Sequence, residues 1–285
     1  MFRRLRWYWA KRRLACPILL YRPRHVKVRH PTCRIRVEDL PPPNAEGYER
    51  LAAFWNDYAS WFVPRYDRFV VSAANYYGQP IRTVLDLACG TGLLTRRLAR
   101  RVDSVVGLDA SAAMLREARS RTRAANVRYL QGDFRDFSLG ETFDAAVCAS
   151  DSLNYLETPE ELEKVFSCVR RHLRPGGLFL FDALNARACR IISRNSVVAY
   201  VAGERFEIYL FYNPKTRVGD CRAVFKKMVE ENGIKVLKPL VERHRRISIE
   251  PEDVRRAAGE AKLEVVEQFS GKLWLRQFYV LRGPV

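Results

Sequence analysis

Apolar positions along the chain change rhythm more than once, and each change marks a different kind of structure. Residues 47–77 (GYERLAAFWNDYASWFVPRYDRFVVSAANYY) space their large apolar side chains at helical intervals, and Pro64 suits the first turn of a second helix. From Thr83 onward, short runs rich in Val, Leu and Ala alternate with amphipathic stretches. The runs 83–88, 104–109, 127–131, 143–149 and 177–183 predict strands, and 91–101, 111–125 and 159–173 predict helices between them. Strands that alternate with helices pair in parallel through right-handed crossovers, so a doubly wound α/β sheet is expected.

After Asn185 the period falls to two. RFEIYLFYN and DCRAVFKKMVEE read as half-buried strands, with turn residues at Asn213-Pro214-Lys215 and Glu231-Asn232-Gly233. Residues 197–249 are therefore predicted as antiparallel hairpins inserted into the α/β scheme. Residues 251–262 then read as a helix, and LEVVEQF with KLWLRQFYVLRG as a closing hairpin.

Composition narrows the class more than the chemistry. A chain of 285 residues, 48% apolar and 29% charged, buries a large core. No apolar run reaches the roughly 18 residues of a membrane span. The seven cysteines (Cys16, Cys33, Cys89, Cys148, Cys168, Cys189 and Cys221) form no C-x-x-C pair, and the four histidines do not cluster with them. That argues against a zinc site or a disulfide scaffold and favours a reducing, cytoplasmic compartment. The net charge of +18 is unevenly placed: residues 1–37 hold twelve basic side chains and no acid, whereas the rest holds 38 basic and 32 acidic. This tail also carries Trp7, Tyr8 and Trp9, and its apolar run 15–21 is too short and too broken by Pro17 for a secretory signal. A solvated arm, a contact with anionic lipid and a contact with nucleic-acid phosphates all remain open for it.

The chemistry concentrates at VLDLACGTGLLT (84–95), where a buried strand runs through a glycine turn straight into a helix. Such a turn lets a ligand approach bare backbone. A dinucleotide fingerprint needs a third glycine where Thr95 stands, and no Gly-Lys-Ser/Thr phosphate loop is present. The block Asp86-Leu87-Ala88-Cys89-Gly90-Thr91-Gly92 instead resembles motif I of class I S-adenosylmethionine (SAM)-dependent methyltransferases. The resemblance extends over residues 48–285 and is closest to small-molecule methyltransferases of amines and amino sugars. It implies a mostly parallel seven-stranded sheet with an antiparallel C-terminal hairpin and an inserted antiparallel β subdomain. It also implies SAM as cofactor: Asp86 suits a cationic ligand, while Ala88, Cys89, Gly90 and Gly92 leave room for close approach. In GLDAS (107–111), Asp109 would accept from ribose hydroxyls, Ala110 would follow it, and Ser111 would cap the next helix. Met114 resembles the apolar residue near the adenine, and in QGDFRDF (131–137) Asp133 and Phe134 resemble the acid and its neighbour at the adenine amine. Ser150 is expected on the cofactor side of the next strand end, and Tyr58 and Tyr66 resemble aromatic residues that cover SAM.

The resemblance divides the chain into a basic extension (1–45), a helical lid (46–80), a SAM-binding core (81–195), an antiparallel roof over the substrate (196–249) and a last helix with strand hairpin (250–285). The acceptor loop, FDAAVCASDSLNYL (143–156), lacks the Asn/Asp-Pro-Pro-Tyr of amide and DNA-base methyltransferases, and Cys148 lies within a strand. No paired-glutamate loop and no metal-binding acid set is visible. A small-molecule acceptor is therefore expected, with an RNA acceptor held by the basic arm as the alternative. Catalytic candidates are Asp151 and His244, either of which would serve as base for a hydroxyl acceptor; a nitrogen acceptor is expected from the resemblance, and the residues themselves leave oxygen open.

Overall fold

The computed structural model describes residues 7, 11, 26–29, 37–46, 48, 50–59, 66–193, 196–201, 204–231, 234–270 and 276–285. The chain enters through two short strands, β1 (Val26–Arg29) and β2 (Ala45–Glu46), and two helices, α1 (Leu51–Ala59) and α2 (Tyr66–Tyr77). The α/β alternation follows as β3 (Thr83–Leu87), α3 (Leu93–Leu98), β4 (Ser104–Asp109), α4 (Ala112–Arg121), β5 (Val127–Gln131), β6 (Phe143–Cys148), α5 (Glu161–Arg171) and β7 (Leu173–Ala183). Helix α6 (Ala186–Ile192) leads to β8 (Ser196–Val201), β9 (Glu204–Asn213), β10 (Val218–Glu231) and β11 (Ile234–Ile247). Helix α7 (Pro251–Glu260) and strands β12 (Glu264–Ser270) and β13 (Gln277–Arg282) complete the fold.

Seven strands form the main sheet in the order β12-β13-β7-β6-β3-β4-β5, with β13 antiparallel to both its neighbours and the remaining pairs parallel. This is the expected fold class. Period-two alternation sorts each central strand onto two cores. Leu85, Leu87, Val106, Ala146, Phe179 and Phe181 face one side, and Val84, Val105, Ala145, Val147, Leu178 and Leu180 the other. Helix α5 buries Leu162, Val165, Phe166 and Val169 at helical spacing against the first core. Strand β3 lies where the strand order reverses, the place at which open α/β sheets present a crevice beyond their carboxyl ends. Strand β7 begins four residues earlier than the pattern predicts. Gly176 at φ +70° and the register shift between Phe143 and Ala145 make this an irregular strand start.

The second sheet runs β1-β8-β9-β10-β11-β2. Its hairpins match the alternating pattern, and β10 pairs with β11 along their whole length, from Val218↔Ile247 to Glu231↔Ile234. The Asn213-Pro214-Lys215 turn links β9 to β10, while Asn232 and Gly233 lie outside the described residues. Parts of the basic extension are packed rather than solvated. Trp7 is buried, stacks on Phe69 and Tyr76, and shares the Glu267 carboxylate with Lys11. Strand β1 pairs with β8. Among the described residues, no helix is long and apolar enough to cross a membrane.

Candidate functional site

At the end of β3 the backbone turns through left-handed conformations at Ala88 (φ 50°), Gly90 (φ 55°) and Gly92 (φ 70°). A methyl group built on Gly90 would lie 3.6 Å from the Trp55 indole nitrogen and 3.9 Å from the Met114 sulfur, in ordinary contact with both, and Gly90 lies on the cavity wall beside Met114. Gly92 answers a different need: an added methyl would collide with the Tyr129 hydroxyl at 2.1 Å. Gly92 thus serves the turn and its packing, and it does not line the cavity, contrary to the expectation that it borders the cofactor.

That cavity measures about 590 Å³ and opens beyond the carboxyl ends of β3, β4 and β6. One half is walled by Asp86, Ala88, Cys89, Gly90, Asp109, Ala110, Met114 and Phe134, as the sequence predicts. Asp86 is buried, and Thr95 donates to its carboxylate at 2.6 Å. Burial raises its pKa to about 7, because a carboxylate with so few donors is poorly solvated. Asp109 accepts from the backbone N–H of Gly90 at 2.7 Å and of Ser111 at 2.8 Å, so it stitches the first strand end to the second. Ser111 caps α4 through Met114 N–H at 3.2 Å. Asp133 departs from expectation. Its carboxylate is occupied by the Arg135 guanidinium and backbone N–H, and it faces a separate charged recess on the outer surface. The arginine two residues downstream was the signal for this pairing.

The other half is walled by Tyr48, Ser150, Ser152, Tyr155, Arg243, His244 and Arg245. Strand alternation on β11 turns Glu242 and His244 inward and leaves Arg243 and Arg245 exposed at the rim. The Tyr48 ring lies 4.6 Å from that of His244, and the Tyr48 hydroxyl donates to that of Tyr155. Burial, and then the nearby Arg246, lower the His244 pKa to about 3, so the ring is neutral at neutral pH. Its Nε2 is buried without a hydrogen-bond partner, 3.9 Å from the Glu242 carboxylate.

Asp151 is not the free base that the sequence suggested. The loop carries it at φ 52° beside Ser150 at φ 65°, and its carboxylate turns away from the cavity into ion pairs with Arg246 (2.5 Å) and Arg276. The backbone N–H groups of Ser150 and Asp151 donate to the buried Asp182 at 2.8 and 3.0 Å, and Arg276 pairs with that carboxylate too. Asp182, Arg246 and Arg276 escaped sequence reasoning because nothing local marks their convergence. Tyr58 lies in α1, with its side chain outside the described residues; Trp55 of the same helix and Tyr48 before it supply the aromatic wall. Tyr66 is buried against Phe69 and Phe278, away from the cavity. Among the described residues, no cluster of three metal-ligating side chains occurs.

A family profile described as a methyltransferase domain matches residues 84–177. The dTDP-3-amino-3,4,6-trideoxy-alpha-D-glucopyranose N,N-dimethyltransferase of Streptomyces venezuelae is 39% identical over 100 residues, 35% of this chain and 41% of that protein. The chain thus spans about two fifths of the length of the curated relatives it matches. Among solved structures, an S-adenosylmethionine-dependent methyltransferase from Clostridium acetobutylicum ATCC 824 superimposes with a TM-score of 0.70 at 22% identity, over 84% of this chain and 99% of that one. The sugar N-methyltransferase KedS8 from Streptoalloteichus sp ATCC 53650 gives 0.69 at 21% identity, over 89% and 98%. At these identities the structures establish the fold.

Proposed function

We propose that this chain, whose residues 84–177 are a methyltransferase domain of the SAM-dependent kind, moves a methyl group from SAM to the nitrogen of a small amine, with amino sugars as the leading class. One observation carries the reading: a single cavity joins a buried, under-solvated carboxylate at the glycine turn to a neutral imidazole. The donor set fits the cofactor. No cation pairs with Asp86 among the described residues, and an α-amino group would provide one, while Asp109 retains lone pairs for ribose hydroxyls. Small residues at Ala88 and Gly90 admit the ligand to the backbone, and the Trp55 face suits a positively charged sulfur. When bound, SAM supplies an electrophilic methyl group on that sulfur.

The chain's own residues then have to hold the acceptor in line and keep water out, effects that together contribute about 7–11 kcal/mol. The neutral His244 ring, together with Tyr48 and Tyr155, confines the acceptor and aims its lone pair. A neutral amine needs no base during attack, only prior loss of its proton. A hydroxyl acceptor would need a base, and neither candidate qualifies: Asp151 is locked in ion pairs and His244 is too weakly basic. Nitrogen is therefore favoured. The five described cysteines, all buried and free, suit a reducing cytoplasm.

The test is incubation of the protein with methyl-labelled SAM and separate pools of small amines, nucleotide-linked amino sugars, RNA and protein. Label in a small-amine pool is the expected result. SAM binding without transfer to that pool, or label confined to RNA or protein, overturns the proposal.

A further inference from the structure

We infer that Glu242 is a positioning residue for the cofactor half of the cavity, acting through helix α1; the inference rests on the SAM reading above. Helix α1 is only nine residues long and has direct contact with the glycine turn. Trp55 lies over Gly90, Asn56 accepts from the Thr91 hydroxyl at 2.5 Å, and Ala52 packs with Ala113 and Met114 of α4. A helix this short is marginal alone, and its first N–H groups need acceptors from elsewhere. The carbonyls of Tyr48 and Arg50 take the N–H groups of Ala52 and Ala53, both at 3.2 Å, but the residue before Leu51 is Arg50, not Ser, Thr, Asn or Asp, so no local side chain caps the N–H groups of Arg50 and Leu51.

Glu242 fills that gap from a remote strand. Its fully buried carboxylate accepts from the N–H of Arg50 and, at 3.2 and 3.3 Å through its two oxygens, from that of Leu51. An anion at this end of a helix also meets the positive end of the helix dipole. The same strand fixes the approach to α1. Strand β2 pairs with β11 at Ala45↔Glu242, and the Asn44 side chain bonds both Pro239 C=O (3.1 Å) and Val241 N–H (2.8 Å). Two residues beyond Glu242, His244 lines the acceptor half. Strand β11 therefore addresses both halves, one through His244 and the other through Glu242 and the indole that its helix carries.

The experiment uses the full chain and S-adenosylhomocysteine as probe, with affinity from calorimetry, release from stopped-flow fluorescence and melting temperature measured alongside. Glu242→Ala removes the acceptor atoms and is expected to weaken binding about tenfold, mostly through faster release. Glu242→Gln keeps one carbonyl acceptor without the charge, and should lose only about threefold. Should the Ala variant not fold, the Gln variant decides. Variants that melt earlier yet bind and release the probe as the wild type does would make Glu242 merely structural and overturn the inference. A wild-type protein that does not bind the probe would instead sink the SAM reading, and this inference with it.

Discussion

The two halves of the cavity are held together by different physics. The cofactor half grows from neighbouring strand ends, and its joints are mostly hydrogen bonds in which neutral backbone N–H groups donate to a carboxylate, a hydroxyl or a carbonyl. Gly90 N–H meets Asp109, Cys89 N–H meets Leu108 C=O at 3.1 Å, and a serine caps the following helix. The acceptor half gathers Tyr48, the loop after β6 and strand β11 from distant parts of the chain, and its joints are buried charges: Asp151 and Asp182 against Arg246 and Arg276. Where backbone N–H groups donate to several separate acceptors, the loss of one side chain leaves a neutral donor unpaired. In a buried ion network, removing one member leaves another charge unpaired, at a larger cost.

The sharpest way to break this contrast is Arg276→Met. Asp182 would keep two backbone donors and lose the cation paired with it, and Asp151 would keep Arg246 as its one paired cation among the described residues. The expected loss is about 3–5 kcal/mol of stability, read by denaturant unfolding. Cofactor affinity of the folded fraction should stay close to wild type. A loss below about 1 kcal/mol, the scale of a surface pair, would show that the network is incidental.

Asp109→Ala probes the other half. Two backbone N–H groups lose their acceptor and any ribose contact goes with them, so SAM affinity should fall by about 1–3 kcal/mol by titration calorimetry. Stability should change less than in Arg276→Met. Unchanged affinity in a folded variant would remove Asp109 from the site.

These two sites also show what a reader of the sequence can and cannot see. Asp86, Gly90 and Asp109 were legible because strand, turn and helix cap are local patterns, and their spacing places them at adjacent strand ends. The alternation of strands and helices and the inserted hairpins followed from the same kind of local period, whereas the count of seven strands came from the family resemblance. Asp133 and Asp151 were misread because an aspartate at a strand end looks alike whether it meets a ligand or an arginine. Arg135 was two residues away and could have warned of the first. Arg246 and Arg276 belong to elements that meet Asp151 only after the sheets are assembled, and no period encodes that meeting. The same holds for Glu242, a strand residue that caps a helix far earlier in the chain.

A milder probe is pH. Burial lifts the Asp86 carboxyl to about 7, above its ordinary value, so in the empty site it binds a proton below that pH. This group favours the empty folded state most at pH below the unfolded carboxyl's value, and that contribution is lost as pH rises through about 7. A cationic ligand needs the ionised form. SAM affinity should therefore rise with pH below 7, by up to about tenfold per unit, and level off above it. His244, lowered to about 3, contributes no such limb in this range. Calorimetry from about pH 5.5 to 8 should find the slope in wild type and His244→Gln and lose it in Asp86→Asn. A slope that survives in Asp86→Asn would reassign the titrating group.

The smallest expected effects come from relieving left-handed strain, one residue in each half. Ala88 (φ 50°) and Ser150 (φ 65°) each hold a conformation that glycine adopts freely. That conformation costs an alanine or serine about 1–2 kcal/mol, and the added freedom of an unfolded glycine offsets about 0.4–1 of it. Ala88→Gly should thus leave stability level or raise it by about 0.5 kcal/mol, with SAM affinity unchanged, because backbone bonds from Gly90 and Cys89 still set the turn. Ser150→Gly should gain as much stability, yet loosen the point at which the Asp182 carboxylate holds the loop through the N–H groups of Ser150 and Asp151. Its cost should appear as a raised KM for the acceptor at unaltered cofactor affinity. If both glycines behave alike in stability and in binding, the two halves are not built on different principles after all.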